Sequence, residues 1–146
     1  LSNEKEPIHI IIDSFGGQAY NMLGFYDAIQ AINAPVHTVC LSKAMSAGVL
    51  LFAAGKKGQR KIGAHATLMI HPLVTQTGGT IFDCENELAE AKRLQEMMID
   101  ALVEESNMTK DKLMDIIEKR KDTFISADEA VKLGLADTII TKRKIK

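Results

Sequence analysis

An α/β domain with a mostly parallel sheet is the fold this chain predicts, and three observations point to it. Short apolar runs (His9 to Ile12, Val36 to Leu41, Ala66 to Ile70, Ala136 to Ile140) alternate with stretches of helical periodicity. The first run is almost continuously apolar, as in a strand buried on both faces. Turns rich in glycine and serine follow the first two runs, where α/β sheets build their sites. The 146 residues suit one domain, 1–146, with a sizeable core.

Each element has its own signal. Asp13-Ser14-Phe15-Gly16-Gly17 breaks the first strand. Ala19, Met22, Leu23, Tyr26, Ile29 and Ile32 recur at helical spacing and predict a helix over 18–33, ended by Asn33-Ala34-Pro35. After the second strand, residues 46–54 read as a short buried helix closed by Gly55. Lys56 to Lys61 reads as a basic turn. The third strand ends at His71-Pro72, and Gly78-Gly79 marks a loop or flexible hairpin. A long amphipathic helix is predicted over 81–106. Its apolar side (Leu88, Ala91, Leu94, Met98, Leu102) either crosses its own core or is left over for another subunit. Thr109 is positioned to cap a helix over 110–120. Ser126-Ala127-Asp128-Glu129 has the form of a capping box for one over 127–133, stopped by Gly134.

Composition removes several functions. Net charge is −1, so bulk electrostatics make no case for nucleic acid or an anionic membrane. The basic stretch Lys142 to Lys146 reads as a solvated tail. Two cysteines, Cys40 and Cys84, form no disulfide framework and no metal site, which favours a reducing, cytoplasmic setting. No metal or cofactor is expected. No run has the length of a membrane span, and no signal peptide is recognisable. The chain starts at Leu1 without methionine, as a processed product or a chain lacking its original N-terminus would.

The most informative stretch is Val39 to Gly55. A strand-like run meets Ser46, flanked by small residues, and a helix-like run follows. Ala44-x-Ser46-x-Gly48 is a relative of the G-x-S-x-G nucleophile elbow. A hydroxyl there can attack a carbonyl while nearby backbone N–H groups hold the oxyanion. It can equally be a plain helix cap. A serine nucleophile needs a base, and the base an orienting carboxylate. Of four histidines, His9 and His37 sit in or beside strands, and His65 lies in a turn. His71 differs because it ends a strand and Pro72 prevents simple continuation. Asp122 is the attractive carboxylate. Asp13, Asp83 and Asp128 compete, with Asp128 better explained by a helix first turn. Gly16-Gly17 lacks the third glycine of a dinucleotide site and the Lys-Ser/Thr of a P-loop. It can present backbone N–H to a reacting carbonyl or pair with an extended peptide.

Together these residues resemble the ClpP peptidase family, the proteolytic subunit of the Clp protease. Segments match in order: Asp13 to Gly17, Phe25 to Ile29, Ala44 to Gly48, Phe52 to Gly58, Met69-Ile70-His71, Asp122 to Ala127, and Gly134 to Asp137. The resemblance implies a ClpP/crotonase-like spiral with a protruding handle helix. It implies Ser46 as nucleophile, His71 as base and Asp122 as acid, and N–H groups of Gly17 and Ala47 as oxyanion hole. Gly16, Phe15 and Leu73 are implied substrate contacts. It further implies a homo-oligomer of heptameric rings, a tetradecamer, cutting unfolded polypeptide fed by an ATP-driven AAA+ unfoldase.

There are departures. Phe15 stands where the family usually has proline. His71 meets Pro72 without the usual glutamine between. Val74 to Gly79 differs from the family's glycine-rich strand. The chain also starts inside the family's usual N-terminus, without the axial loops and first helix that meet the unfoldase. A phage-encoded capsid-maturation or scaffold-processing protease of the same fold fits these departures. A crotonase-type acyl-CoA enzyme and a catalytically idle ring subunit are the readings from other classes. The Ser/His/Asp set weighs against both.

Overall fold

The computed structural model describes residues 5–119 and 121–141, so the basic tail, the first four residues and Arg120 lie outside the described residues. Six strands and five helices follow in order: β1 (Ile8–Ser14), α1 (Ala19–Ala31), β2 (Val36–Met45), α2 (Ala47–Ala53), β3 (Arg60–Gly63), β4 (Thr67–Ile70), α3 (Ile81–Glu105), α4 (Lys110–Glu118), β5 (Thr123–Ile125), α5 (Ala127–Lys132) and β6 (Thr138–Ile140). The α/β class holds, and the curled sheet is mostly parallel as expected, with one antiparallel pair, β4–β5.

The long central strand β2 organises the sheet. Its first half pairs in parallel with β1 on one side and β3 on the other. Its second half pairs in parallel with β4. Ser42, at φ 66°, marks the change of partner within the strand. β6 continues in parallel beyond β3, and β5 joins β4 antiparallel.

Two strands were not foreseen. β3 occupies the expected basic turn: Arg60 and Ile62 point inward while Lys61 points out, so its charges hid a period-two pattern. β5 has three residues, too few for a periodic signal. The expectation that the first strand is covered on both faces is corrected. Among the described residues β1 has one strand neighbour, and Ile11, on the face opposite buried Ile12, is 69 % exposed. His9 and His37 share this open face, their rings edge to face at 5.0 Å.

The core lies between the sheet and α1, α2 and α3. Phe52, Leu50, Ile62 and Leu68 are fully buried, and each such side chain contributes about 1.5–3 kcal/mol. Gly55 is required for close packing, since a Cβ there would lie 2.3 Å from Thr38 Oγ1. That hydroxyl is itself buried and donates to the Phe52 carbonyl at 2.8 Å. Buried Arg60 ties distant parts of the chain together. Its Nε and Nη2 donate to the two Asp137 carboxylate oxygens at 3.0 and 2.6 Å, and Nη1 donates to the Glu105 carbonyl at 2.6 Å. Burial works against the charged form of Asp137. Hydrogen bonds from Arg60, its charge and the Gly58 N–H outweigh that, so the carboxyl sits below its usual range.

α3 opens with a capping box, Thr80 with Asp83. At 25 residues it is about 37 Å long. Its buried residues (Leu94, Ile99, Ala101, Leu102) all lie in the C-terminal half. Ile81 and Phe82 are three-quarters exposed, and Leu88 46 %. The predicted apolar stripe therefore splits: Leu94 and Leu102 belong to the chain's own core, and Leu88 does not. Among the described residues, no helix is long and apolar enough to cross a membrane.

Candidate active site

The site forms where β2 gives way to α2. Ser46 stands at φ 54°, ψ −124°, a conformation that costs an L-residue about 1–3 kcal/mol and is held by its surroundings. Its N–H donates to the Met69 carbonyl at 2.8 Å, continuing the β2–β4 pairing by one residue. Its side chain makes no capping hydrogen bond to α2. The plain helix-cap reading is therefore not what the structure shows, and the hydroxyl is left to the cleft it lines.

Gly16 makes this turn possible. At φ 105° it passes so close that a Cβ would lie 2.7 Å from the Met45 carbonyl oxygen and 2.8 Å from Ser46 Cβ. The Gly16 N–H is committed, donating to Ser14 Oγ at 3.1 Å. Ala47 is the first residue of α2, where backbone N–H groups have no partner within the helix. Gly17 and Ala47 both line a cleft of about 260 Å³ whose walls also include Ser46, His71, Leu73 and Met98.

His71 directly follows β4, so the strand that anchors Ser46 also carries it. Asp122 is placed by the neighbouring pairing. Leu68 faces Ile125, Met69 faces Phe124 and Ile70 faces Thr123 in the antiparallel β4–β5 ladder. The next step in that register sets His71 opposite Asp122. Two ladders thus bring the three residues to one end of the sheet. The competing carboxylates are engaged elsewhere. Asp13 pairs with Lys43 at 2.6 Å, Asp83 caps α3, and Asp128 lies in the first turn of α5. Among the described residues, no hydrogen bond joins Ser46 Oγ, the His71 ring and the Asp122 carboxylate.

A second, mostly apolar cavity adjoins the first behind Ser46 and His71. It is walled by Ile70, Met98, Ile99, Leu102 and residues of α4. Its free space is about 20 Å³, close to the volume one water needs. Leu73 lines both cavities. Phe15 lines neither: it is 75 % exposed, its ring 4.2 Å from Lys43 Nζ. Gly16 sits on the far side of the turn, in a groove with Gln18, Met22 and Phe25. The sequence reading overlooked the contribution of α3. Gln95, Met98, Ile99 and Leu102 form one stripe facing the site, and the signal was a glutamine among apolar residues at i, i+3, i+4 and i+7. No group of three or more metal-ligating side chains occurs among the described residues. Cys40 lies in the core, its thiol pushed up to about 11 chiefly by burial, and takes no part in the site.

A family model described as Clp protease matches residues 1–143. The chain belongs to the Clp protease family. It is 33 % identical over 142 residues to the ATP-dependent Clp protease proteolytic subunit of Deinococcus radiodurans, covering 97 % of this chain and 69 % of that protein. Over 141 residues it is 35 % identical to the ATP-dependent Clp protease proteolytic subunit 2 of Parasynechococcus marenigrum, covering 97 % and 71 %. With subunit 4 of Rhodococcus jostii the identity is 34 % over 138 residues, covering 94 % and 70 %. As a Clp protease family member the chain belongs among the peptidases, which are hydrolases. The curled α/β sheet with its long α3 is consistent with the family's fold.

Proposed function

We propose that this chain is a serine endopeptidase domain that cleaves extended polypeptide inside a ring-shaped homo-oligomer. The observation that carries this reading is the convergence of two ladders. β2–β4 sets Ser46 beside the strand of His71, and β4–β5 ends at Ile70 and Thr123, the residues next to His71 and Asp122, which supports their facing one another.

In this reading Ser46 Oγ attacks the scissile carbonyl carbon as His71 takes its proton. The N–H groups of Gly17 and Ala47 receive the oxyanion. His71 returns the proton to the leaving amine, giving an acyl-enzyme on Ser46. Water, deprotonated by His71, then releases the second product. Asp122 orients the ring and stabilises its cationic form. Leu73 flanks the path of the substrate, whereas Gly16 and Phe15 line neither cavity. The apolar cavity behind Ser46 favours an uncharged side chain on the acyl side of the cut, once that cavity opens.

Assembly is part of the proposal. The exposed apolar residues at the start of α3 suit a contact with a second copy. Ser46 and His71 line the same cleft without a hydrogen bond between them, and closing such a gap is worth orders of magnitude in rate. Ring formation that steadies α3 and the strands beneath it is the proposed trigger. The relatives' names include "ATP-dependent", which supports an ATP-driven unfoldase as the partner that supplies substrate.

Treating the assembled protein with a fluorophosphonate, alongside hydrolysis of an unstructured peptide, tests the reading. We expect labelling at Ser46 and loss of both signals in Ser46→Ala. An assembled particle with Ser46 unlabelled and peptide intact refutes it.

A further inference from the structure

The residues between His71 and α3 have no regular secondary structure, yet they carry the base and one wall of the cleft. Leu73 packs its side chain against the core, and one hydrogen bond ties the stretch down. The Leu73 N–H donates to Gln95 Oε1 on α3 at 3.0 Å. Among the described residues, no other hydrogen bond holds the stretch 72–79. Gln95 is also a polar member of the otherwise apolar α3 wall behind Ser46 and His71.

The geometry points to Gln95 as a positioning residue that fixes the chain leaving His71 and thereby links the pose of the base to α3, an inference that rests on the serine-peptidase reading above. The mechanical argument is short. Pro72 has its φ locked by its ring. Holding the next peptide N–H in place fixes the remaining torsion of Pro72. The backbone on the far side of His71 is then fixed at both ends, by the β4 ladder and by Gln95. Gln95 itself stands in the packed half of α3, between buried Leu94 and Ile99. Its carbonyl oxygen is therefore a fixed acceptor. A helix whose other half is exposed can pass a change of position at that end to the residue after the base.

Gln95→Met, similar in size but without the acceptor, and Gln95→Glu, which keeps an acceptor oxygen, test this. The measurements are the fluorophosphonate labelling rate of Ser46, kcat and KM on an unstructured peptide, particle mass, melting temperature, and hydrogen exchange of the Leu73 amide. For Gln95→Met we expect kcat and labelling to fall roughly 10- to 100-fold, the scale for a misplaced catalytic group. KM, particle mass and melting should stay close to wild type. The Leu73 amide should lose its protection, and Gln95→Glu should recover both rate and protection.

Full activity in Gln95→Met overturns the inference, and so does a folded Gln95→Glu as slow as Gln95→Met. If wild-type Ser46 cannot be labelled, the peptidase reading falls. Leu73 exchange then still decides whether Gln95 holds the strap: protection equal in wild type and Gln95→Met refutes it.

Discussion

Gly16→Ala puts the geometry around Ser46 to its hardest test. Gly16 is at φ 105°, and a Cβ built there meets the Met45 carbonyl oxygen at 2.7 Å, Ser46 Cβ at 2.8 Å and the Ala47 nitrogen at 3.2 Å. Ordinary contact begins at 3.4 Å, so the carbonyl oxygen must retreat by about 0.7 Å (3.4 minus 2.7). The neighbours cannot swing aside like a flexible side-chain end, because two are backbone atoms and the third is the Cβ of Ser46, the proposed nucleophile. The backbone strain of the substituted residue adds about 1–3 kcal/mol, a loss of roughly 4–12 °C in melting temperature for a chain near this size. The displacement falls on the residue proposed to attack and on the N–H proposed to receive the oxyanion. A shift approaching 1 Å in such a group costs about 10²-fold in rate. Ser46 labelling should therefore slow by roughly 10- to 100-fold at temperatures where the variant is still folded. Gly24→Ala, in α1 away from the cleft, is the control: nothing lies within 4 Å of its built Cβ, and it needs no positive φ. Melting curves with timed fluorophosphonate labelling read both effects. Wild-type labelling by folded Gly16→Ala, or equal damage from Gly24→Ala, refutes the argument.

Three further outcomes follow from other parts of the molecule. Phe82→Asp alters a residue 75 % exposed on α3, so we expect particle mass in sedimentation to fall while the melting temperature of the subunit holds. Leu94→Asp, at 6 % exposure, should unfold the subunit instead. Arg60→Met leaves Asp137 without its main partner and should destabilise by about 3 kcal/mol, the low end for a broken buried pair, because Asp137 keeps 18 % of its side-chain exposure; denaturant midpoints check this. The Asp137 carboxyl titrates below its usual value of 3.8 when folded. A depressed carboxylate gives stability that is present above the unfolded value and lost as pH falls through the folded one. Melting temperature should thus decline below about pH 4, less steeply in Asp137→Asn, and equal slopes would exclude Asp137 as a source.

What was legible in the sequence followed from how local each signal was. Long periodic helices and apolar strands announced themselves, as did the Thr109 and Ser126 caps, because propensity and packing agree there. β3 hid because Arg60, a charged residue, points inward. Asp137 and the Glu105 carbonyl, both far along the chain, make that burial tolerable, and no local pattern encodes such partners. β5 hid because three residues have no period. The open face of β1 was misjudged because an apolar run says that a strand prefers cover, not that its own chain supplies it.

The site shows the same divide. Ser46 is locally encoded: an abrupt strand-to-helix turn among small residues leaves a hydroxyl that cannot reach the helix it precedes. His71 is half encoded, by a strand that stops at a proline. Asp122 has no local mark, and its place depends on a three-residue ladder that the sequence did not reveal. Had β5 been shifted by one residue, Thr123 or Lys121 would stand opposite His71 instead, since side chains change face with each step of register. The β4–β5 register is therefore the most sensitive link in the peptidase reading. Phe124→Gly, in the middle of that ladder at 60 % exposure, weakens the strand without touching Ser46 or His71. If Asp122 orients the base, peptide turnover should fall in Phe124→Gly while the β2–β4 pairing of Ser46 persists in hydrogen exchange. Unchanged turnover with the β5 amides fully deprotected would mean that Asp122 is not the residue that orients His71.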